Sequence, residues 1–359
     1  MSGRRSVRRD TYTASAVGAL TLVLFSQFHG ARAASFNCAG AGQPVERLIC
    51  DNQSLSELDT RLGEIYGKSL AELSPRAARR YRQAQRAWLA YWPALCADAA
   101  GKIAPESGDT LQCAETEYLA RIATLKLQGR TAENLLAFPV SHYDVVQSTA
   151  GLDFIKRAHH VATRMTIDVE AAPAASRGLA QALDQWLGLP SAETAMTGTD
   201  EMSTSDTELE LVFTHSASSL IISAQKTSFL MGHGAAHPLS LTARRHFNLR
   251  AERPIETRDI FEGEDWLEAL THLTEEALKD QLAEYYTVER VESLRMLVAQ
   301  PERWSFAPAG LTVTFNPYEV APYVAGAPEV TVPWSSLRAW LTPAFAASLP
   351  EAAGVMLKR

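Results

Sequence analysis

Apolar positions along the chain follow two regimes. From about residue 54 to 127 they recur every three to four residues. Beyond about 160 they fall into short β-rich stretches interrupted by two further helical patterns. Ser54-Leu55-Ser56-Glu57 has the form of a capping box, with Ser at N-cap and Glu at N3, and Leu55, Leu58, Leu62, Ile65 and Leu73 follow at helical spacing. Ser74-Pro75 closes that helix and opens the next, proline being tolerated in a first turn. Tyr81, Ala84, Trp88, Tyr91 and Leu95 line one face of this second helix. Pro93 should kink or end it, because its ring clashes with the carbonyl of Leu89. After a loop with Gly101, Pro105 and Gly108, a third helix carries Leu111, Tyr118, Ile122 and Leu125.

The second regime predicts a strand at Val161–Val169 and a short helix at Ser176–Leu187. Glu208–Thr214 and Ser219–Phe229 read as paired strands, with another strand at Leu241–Leu249. Helices are expected at Trp266–Leu282 and Val288–Val298. Strands follow at Leu311–Phe315, with Leu311, Val313 and Phe315 on one face, and at Val330–Val332, before a last helix with Trp334, Leu337 and Trp340. Strands, then helices, then strands imply an α+β domain with a mostly antiparallel sheet. Ala171–Arg177 and Ser191–Asp206 read as loose segments, the second as an exposed polar loop.

The first residues change the cellular context. Arg4, Arg5, Arg8 and Arg9 precede an apolar stretch at Ala14–Phe25, and Ala31-Arg32-Ala33 fits a signal-peptidase site. The expected organisation is a signal peptide at 1–33, a helical module at 34–130 and an α+β domain at 131–359, with no membrane anchor after cleavage and a periplasmic or secreted location. The whole chain has 34 Lys+Arg against 41 Asp+Glu. Without the leader's five arginines and one aspartate, 29 basic and 40 acidic side chains remain, a net charge of −11. The excess lies beyond residue 130, where 17 basic groups face 29 acidic ones. Such a surface disfavours nucleic acid and anionic membrane and suits a cationic partner or solubility.

Four cysteines, Cys38, Cys50, Cys96 and Cys113, sit in the helical segment without C-x-x-C spacing. In an exported chain they read as two structural disulfides. Of the three possible pairings the local one, Cys38–Cys50 with Cys96–Cys113, is favoured. A Cys38–Cys113 link remains the alternative, should the N-terminal segment lie on the third helix.

Phe36-Asn37-Cys38, Val45-Glu46, Ile49-Cys50, Leu55, Leu58-Asp59, Leu62, Tyr66, Gln85-Arg86-x-Trp88-Leu89, Cys96, Cys113, Tyr118, Arg121, Ile122 and Leu125 occur in the order of a known family. Over residues 36–127 the chain resembles the LprI-like lysozyme-inhibitor domain of exported bacterial proteins. One departure is Tyr91-Trp92-Pro93, where that family often has an arginine. A second set of blocks runs from Gly232 through His233, His237 and Pro238 to Phe247-Asn248-Leu249 and Asp259-Ile260-Phe261. It continues with Leu311–Phe315, Tyr318–Tyr323, Gly326 and Val332-Pro333. These resemble the outer domain of the RsiV family over about 205–342. RsiV-type proteins sense lysozyme by binding it. With no cytoplasmic anti-sigma segment here, the resemblance implies the fold and a ligand class, not the regulatory role.

Chemistry adds little to a binding reading. No G-x-S-x-G elbow, P-loop or H-E-x-x-H occurs. His233 and His237 are four apart, but Gly232, Gly234 and Pro238 argue against a helix that would join them on a metal. Adjacent His159 and His160 point apart. Glu262, Glu264, Asp265 and Glu268 gather at a helix start, where they complement its dipole. No enzyme activity, cofactor or metal is expected. Tyr318, Glu319, Pro322 and Tyr323, with His237, are the partner-binding candidates, because tyrosine and proline in an irregular segment make a rigid contact surface. The expected function is binding and inhibition of lysozyme or a related cell-wall hydrolase. A non-inhibitory module for peptidoglycan or another glycan is the alternative.

Overall fold

A computed structural model describes residues 34–152, 155–188 and 203–350. The expected signal peptide and most of the expected 191–206 loop lie outside the described residues. Among the described residues the N-terminal part holds four α-helices: α1 (Pro44–Asp51), α2 (Gln53–Ala71), α3 (Pro75–Leu95) and α4 (Gly108–Leu125). Helix α1 was not legible from periodicity. It is short and starts with Pro44 at its first position, and Glu46 reaches back to the backbone of Gln43 and Gly42. It runs almost directly into α2, with only Asn52 extended between them, so α2 begins before Ser54. The Ser54 hydroxyl is therefore not the cap; it donates to Glu115 on α4. Ser74 does cap α3, accepting from the Ala77 amide at 3.4 Å. Pro93 falls in the last turn of α3, where little helix remains to disrupt, and the chain leaves at Cys96.

The disulfides are Cys38–Cys50 and Cys96–Cys113, with Cα atoms 5.7 and 5.6 Å apart. The first ties the N-terminal segment to α1 and the second closes the loop between α3 and α4. Behind them, Trp88, Trp92, Tyr81 and Tyr118 are fully buried. Trp88 meets Tyr118 edge-on at 4.9 Å. Asp59 is the polar tie of this core: it accepts from the Tyr118 hydroxyl at 3.0 Å and from the Ser35 amide at 2.6 Å.

A seven-stranded sheet follows in chain order: β1 (Gly129–Arg130), β2 (Leu136–Gln147), β3 (Arg157–Ile167), β4 (Ser205–Thr214), β5 (Ile221–Gly232), β6 (Leu239–Asn248) and β7 (Arg253–Pro254). Every neighbouring pair is antiparallel except β3–β4, which is parallel. Strand β2 was not anticipated. Its first six residues are buried, so they show no polar alternation, and they include Pro139. Phe138 and Val140 point into the helical core, while Ala137 points into a core formed with α5 (Arg177–Trp186). The two faces of β2 thus serve two layers, and the helical core continues into the sheet.

A second, three-stranded antiparallel sheet, ordered β10–β9–β8, comprises β8 (Trp304–Phe306), β9 (Gly310–Thr314) and β10 (Glu329–Pro333). Helices α6 (Trp266–Leu282), α7 (Val291–Val298), α8 (Trp334–Leu337) and α9 (Pro343–Ser348) pack around it. Trp304, Phe306, Trp334 and Phe345 fill this core. All five residues of β9 are buried, so both its faces are covered, not one. Gly310 is obligatory: a Cβ there would lie 2.1 Å from the Val332 carbonyl oxygen. The architecture is a disulfide-stapled helical module followed by an α+β domain with a mostly antiparallel sheet. Among the described residues, no helix is long and apolar enough to cross a membrane.

Candidate binding surface

The β5–β6 hairpin pairs up to Leu230 and Leu239, leaving a turn that carries both His233 and His237. Gly234, at φ +87°, allows the reversal. Opposite this turn lies the irregular segment 316–326 between β9 and β10. It is held from below by buried Val320 and Ala321 and by the Val320 carbonyl, which accepts from the Thr287 amide at 3.0 Å. Asn316 Oδ1 accepts from the Thr242 amide at 2.7 Å and fastens the segment to β6.

Three of the five candidate residues meet as an aromatic cluster. The imidazole of His237 stacks on Tyr323 with centroids 3.8 Å apart and planes 21° apart, and Tyr318 lies 5.6 Å from Tyr323. The Tyr323 hydroxyl donates to the Pro238 carbonyl at 2.9 Å, clamping hairpin to loop. His237 Nδ1 also faces the Pro238 carbonyl, at 3.1 Å, so Nδ1 carries the proton. Nε2 lies 3.3 Å from the Tyr318 hydroxyl. Tyr318 is 58% exposed and nearby Val324 is 77% exposed. Tyr318 also has φ +72°, a left-handed conformation that a bulky residue rarely adopts. A large ring is thus held toward solvent at a backbone position that would suit glycine.

Glu319 and Pro322 serve the cluster from behind. The Glu319 carboxylate accepts from both terminal nitrogens of Arg303, one at 2.7 Å, and from the Asn316 amide at 2.6 Å. Its oxygens are therefore engaged within the chain. Pro322 caps the single 3-10 turn Tyr323–Ala325, which Gly326 ends at φ +72°.

His233 does not join His237. Its ring, 1% exposed, turns inward to Ser148 Oγ at 2.8 Å and Asp206 Oδ1 at 3.2 Å. Among the described residues no group of three His, Cys, Asp or Glu side chains is gathered as metal ligands would be.

Asp206 is the centre of a network that sequence reasoning missed. His159 Nδ1 lies 3.2 Å from Asp206 and its Nε2 3.4 Å from Glu208. Burial alone would lower the His159 pKa, but hydrogen bonds to the two carboxylates and their charges outweigh it and push it up to about 9. Burial opposes ionisation of Asp206 too; bonds from His159 and His233 prevail and bring it down to about 2. Across the interface on α4, burial pushes Glu117 up to about 7, with His159 pulling the other way and Glu208 adding to the rise. The alternation of Asp206, Glu208 and Glu210 along β4 was visible. Its pairing with β3 was not, because the parallel register joins strands separated by nearly forty residues of connection.

Residues 37–125 match the family model described as lysozyme inhibitor LprI, and residues 258–335 match the model of DUF3298, a family of proteins of unknown function. The second match is to a relative of the RsiV family, not to RsiV itself, and spans less than the 205–342 resemblance. A DUF3298 protein of Bacteroides fragilis aligns at 16% identity over 58% of this chain and 94% of its own, with a TM-score of 0.42. One from Pseudomonas aeruginosa aligns at 14% identity over 61% of this chain and 98% of its own, also at 0.42. No curated protein matches the chain. The helical module with its two disulfides is thus matched to the LprI model, and the C-terminal core to DUF3298.

Proposed function

We propose that this protein is an exported bacterial binding protein that captures lysozyme or a related cell-wall hydrolase and blocks it. The observation that carries this reading is the LprI match across the whole disulfide-stapled helical module. Two disulfides suit an oxidising compartment outside the cytoplasm. The acidic excess beyond residue 130 has the sign needed to steer a cationic enzyme. The exposed ring of Tyr318, backed by His237 and Tyr323, supplies a rigid aromatic anchor of the kind that dominates protein interfaces. Neither matched family is defined by an enzymatic activity, which favours a binding role over catalysis.

Gel filtration of the mature chain mixed with a cationic lysozyme at low salt tests this directly. Co-elution supports hydrolase capture. Separate elution, together with retention of the chain on purified peptidoglycan, would replace it by the glycan-binding reading.

A further inference from the structure

Between α3–α4 and the sheet lies a cleft of about 350 Å³, a size within the usual range of small-molecule sites. Arg121 on α4 lines it and is only 1% exposed. Its Nε donates to Gln85 Oε1 at 3.0 Å and its Nη1 to the Tyr143 hydroxyl at 3.1 Å, while Nη2 has no partner among the described residues. Both partners are neutral. A buried guanidinium without a counter-charge is costly, since the ion has lost its hydration and gained no anion. Trp88, which also lines the cleft, carries a second buried donor, Nε1, without an acceptor among the described residues. Two residues of the lining, one on α3 and one on α4, thus each hold a buried donor that an acceptor-bearing anion would answer.

The rest of the lining limits which anion fits. Glu117, one helical turn before Arg121, and Glu208 and Glu210 on β4 also border the cleft. They would repel a multiply charged anion such as phosphate and would attract an ammonium group. The rings of Tyr91 and Tyr143, 4.9 Å apart, make an apolar wall. We propose that this cleft binds a small zwitterion, an amino acid or short peptide, with its carboxylate on Arg121 and Trp88 and its ammonium toward Glu117, Glu208 and Glu210. The site lies across the junction of helical module and sheet, so its ligand would couple the two. It stands apart from the aromatic cluster and does not depend on hydrolase binding.

Isothermal titration of the mature chain with L-alanyl-L-alanine, L-alanine, L-leucine, sodium acetate and inorganic phosphate tests the proposal. At least one of the three zwitterions should bind saturably and at least tenfold more tightly than acetate or phosphate. Absence of zwitterion binding, or tighter binding of phosphate, would overturn the proposal. Arg121→Lys should abolish the binding. Because that variant removes buried hydrogen bonds and could unfold, Glu208→Gln, with a side chain 60% exposed, provides the second arm. It should weaken the zwitterion severalfold while leaving acetate unchanged and the circular dichroism native. Equal zwitterion affinity in Glu208→Gln and the parent would place the ligand elsewhere and contradict the site.

Discussion

The imidazole of His237, at a hairpin turn of the large sheet, lies flat on the ring of Tyr323, which belongs to a loop of the small sheet. The stack joins the two sheets at the surface and presents Tyr318 beside it. If this cluster is the anchor for a protein partner, Tyr323→Ala and Tyr318→Ala should each raise the dissociation rate. The expected cost is about 2 kcal/mol or more, roughly thirtyfold in Kd. Tyr318→Gly sharpens the test. Glycine adopts φ +72° without strain, so the variant should melt no lower than the parent and still lose binding. A lower melting temperature with binding intact would make Tyr318 a structural residue.

Ser74 and Asp168 fasten the helical module to the sheet. The Asp168 carboxylate accepts from the Ser74 hydroxyl at 2.6 Å and from its amide at 2.8 Å. Asp168→Ala should leave three donors, the Ser74 hydroxyl and amide and the Ala171 amide, without this acceptor and lower stability by about 1–3 kcal/mol, read as a shift in urea midpoint. Phe138 and Val140 also complete the helical core. A fragment of residues 34–130 should therefore expose the face of α3 that holds Tyr81 and Tyr91 and bind a hydrophobic dye. The same fragment extended through β2 and β3 should bind less.

The His159 network sets a pH window. With its folded pKa raised to about 9 from an ordinary 6.5, His159 contributes stability fully below 6.5 and loses it as pH rises through 9. Replacing it with glutamine should therefore destabilise strongly at pH 6 and little at pH 10. Asp206, depressed to about 2, contributes above its ordinary 3.8 and fails only as pH falls through 2. Glu117 has the opposite sign. Raised to about 7, it opposes folding once ionised, so Glu117→Gln should be the more stable chain above pH 7 and equal to the parent near pH 4. Denaturant titrations across pH 2–10 measure all three.

Helix α6 was readable to the residue, Trp266–Leu282, because its apolar face is periodic and nothing inside breaks it. Paired strands β4 and β5 were legible from alternation and composition but not at their ends: β4 starts at Ser205, inside the expected 191–206 loop, and β5 runs on to Gly232, past Phe229. Strand β2 was not, since burial on both faces removes the polar half of the pattern. The Asp206 network was hidden for another reason: His159 reaches Asp206 through the parallel β3–β4 register and His233 through the end of the β4–β5 pairing, both long-range. The aromatic cluster was half legible: residue type singled out Tyr318 and Tyr323, but nothing local indicated that His237 would lie on Tyr323. Glu319 looked like a contact residue and is instead bonded to Arg303, an interaction made across the fold.

The disulfides close loops with sequence separations of 12 and 17 residues. In the chain-entropy model each is worth about 3 kcal/mol. Thiol titration of the unreduced mature protein should find no free cysteine, and reduction should lower the melting temperature through loss of the helical module first. Free thiols in the protein isolated from its native host would contradict the oxidising-compartment reading.

Lysozyme turnover of a cell-wall substrate, followed while the mature chain is titrated in at low salt, tests hydrolase capture most directly. Activity should fall to a floor at a fixed stoichiometric ratio. The association rate should drop steeply as salt shortens the screening length toward about 8 Å, and Tyr323→Ala should restore activity without unfolding the chain. Undiminished hydrolysis at a large molar excess of the folded chain would contradict the inhibitor function.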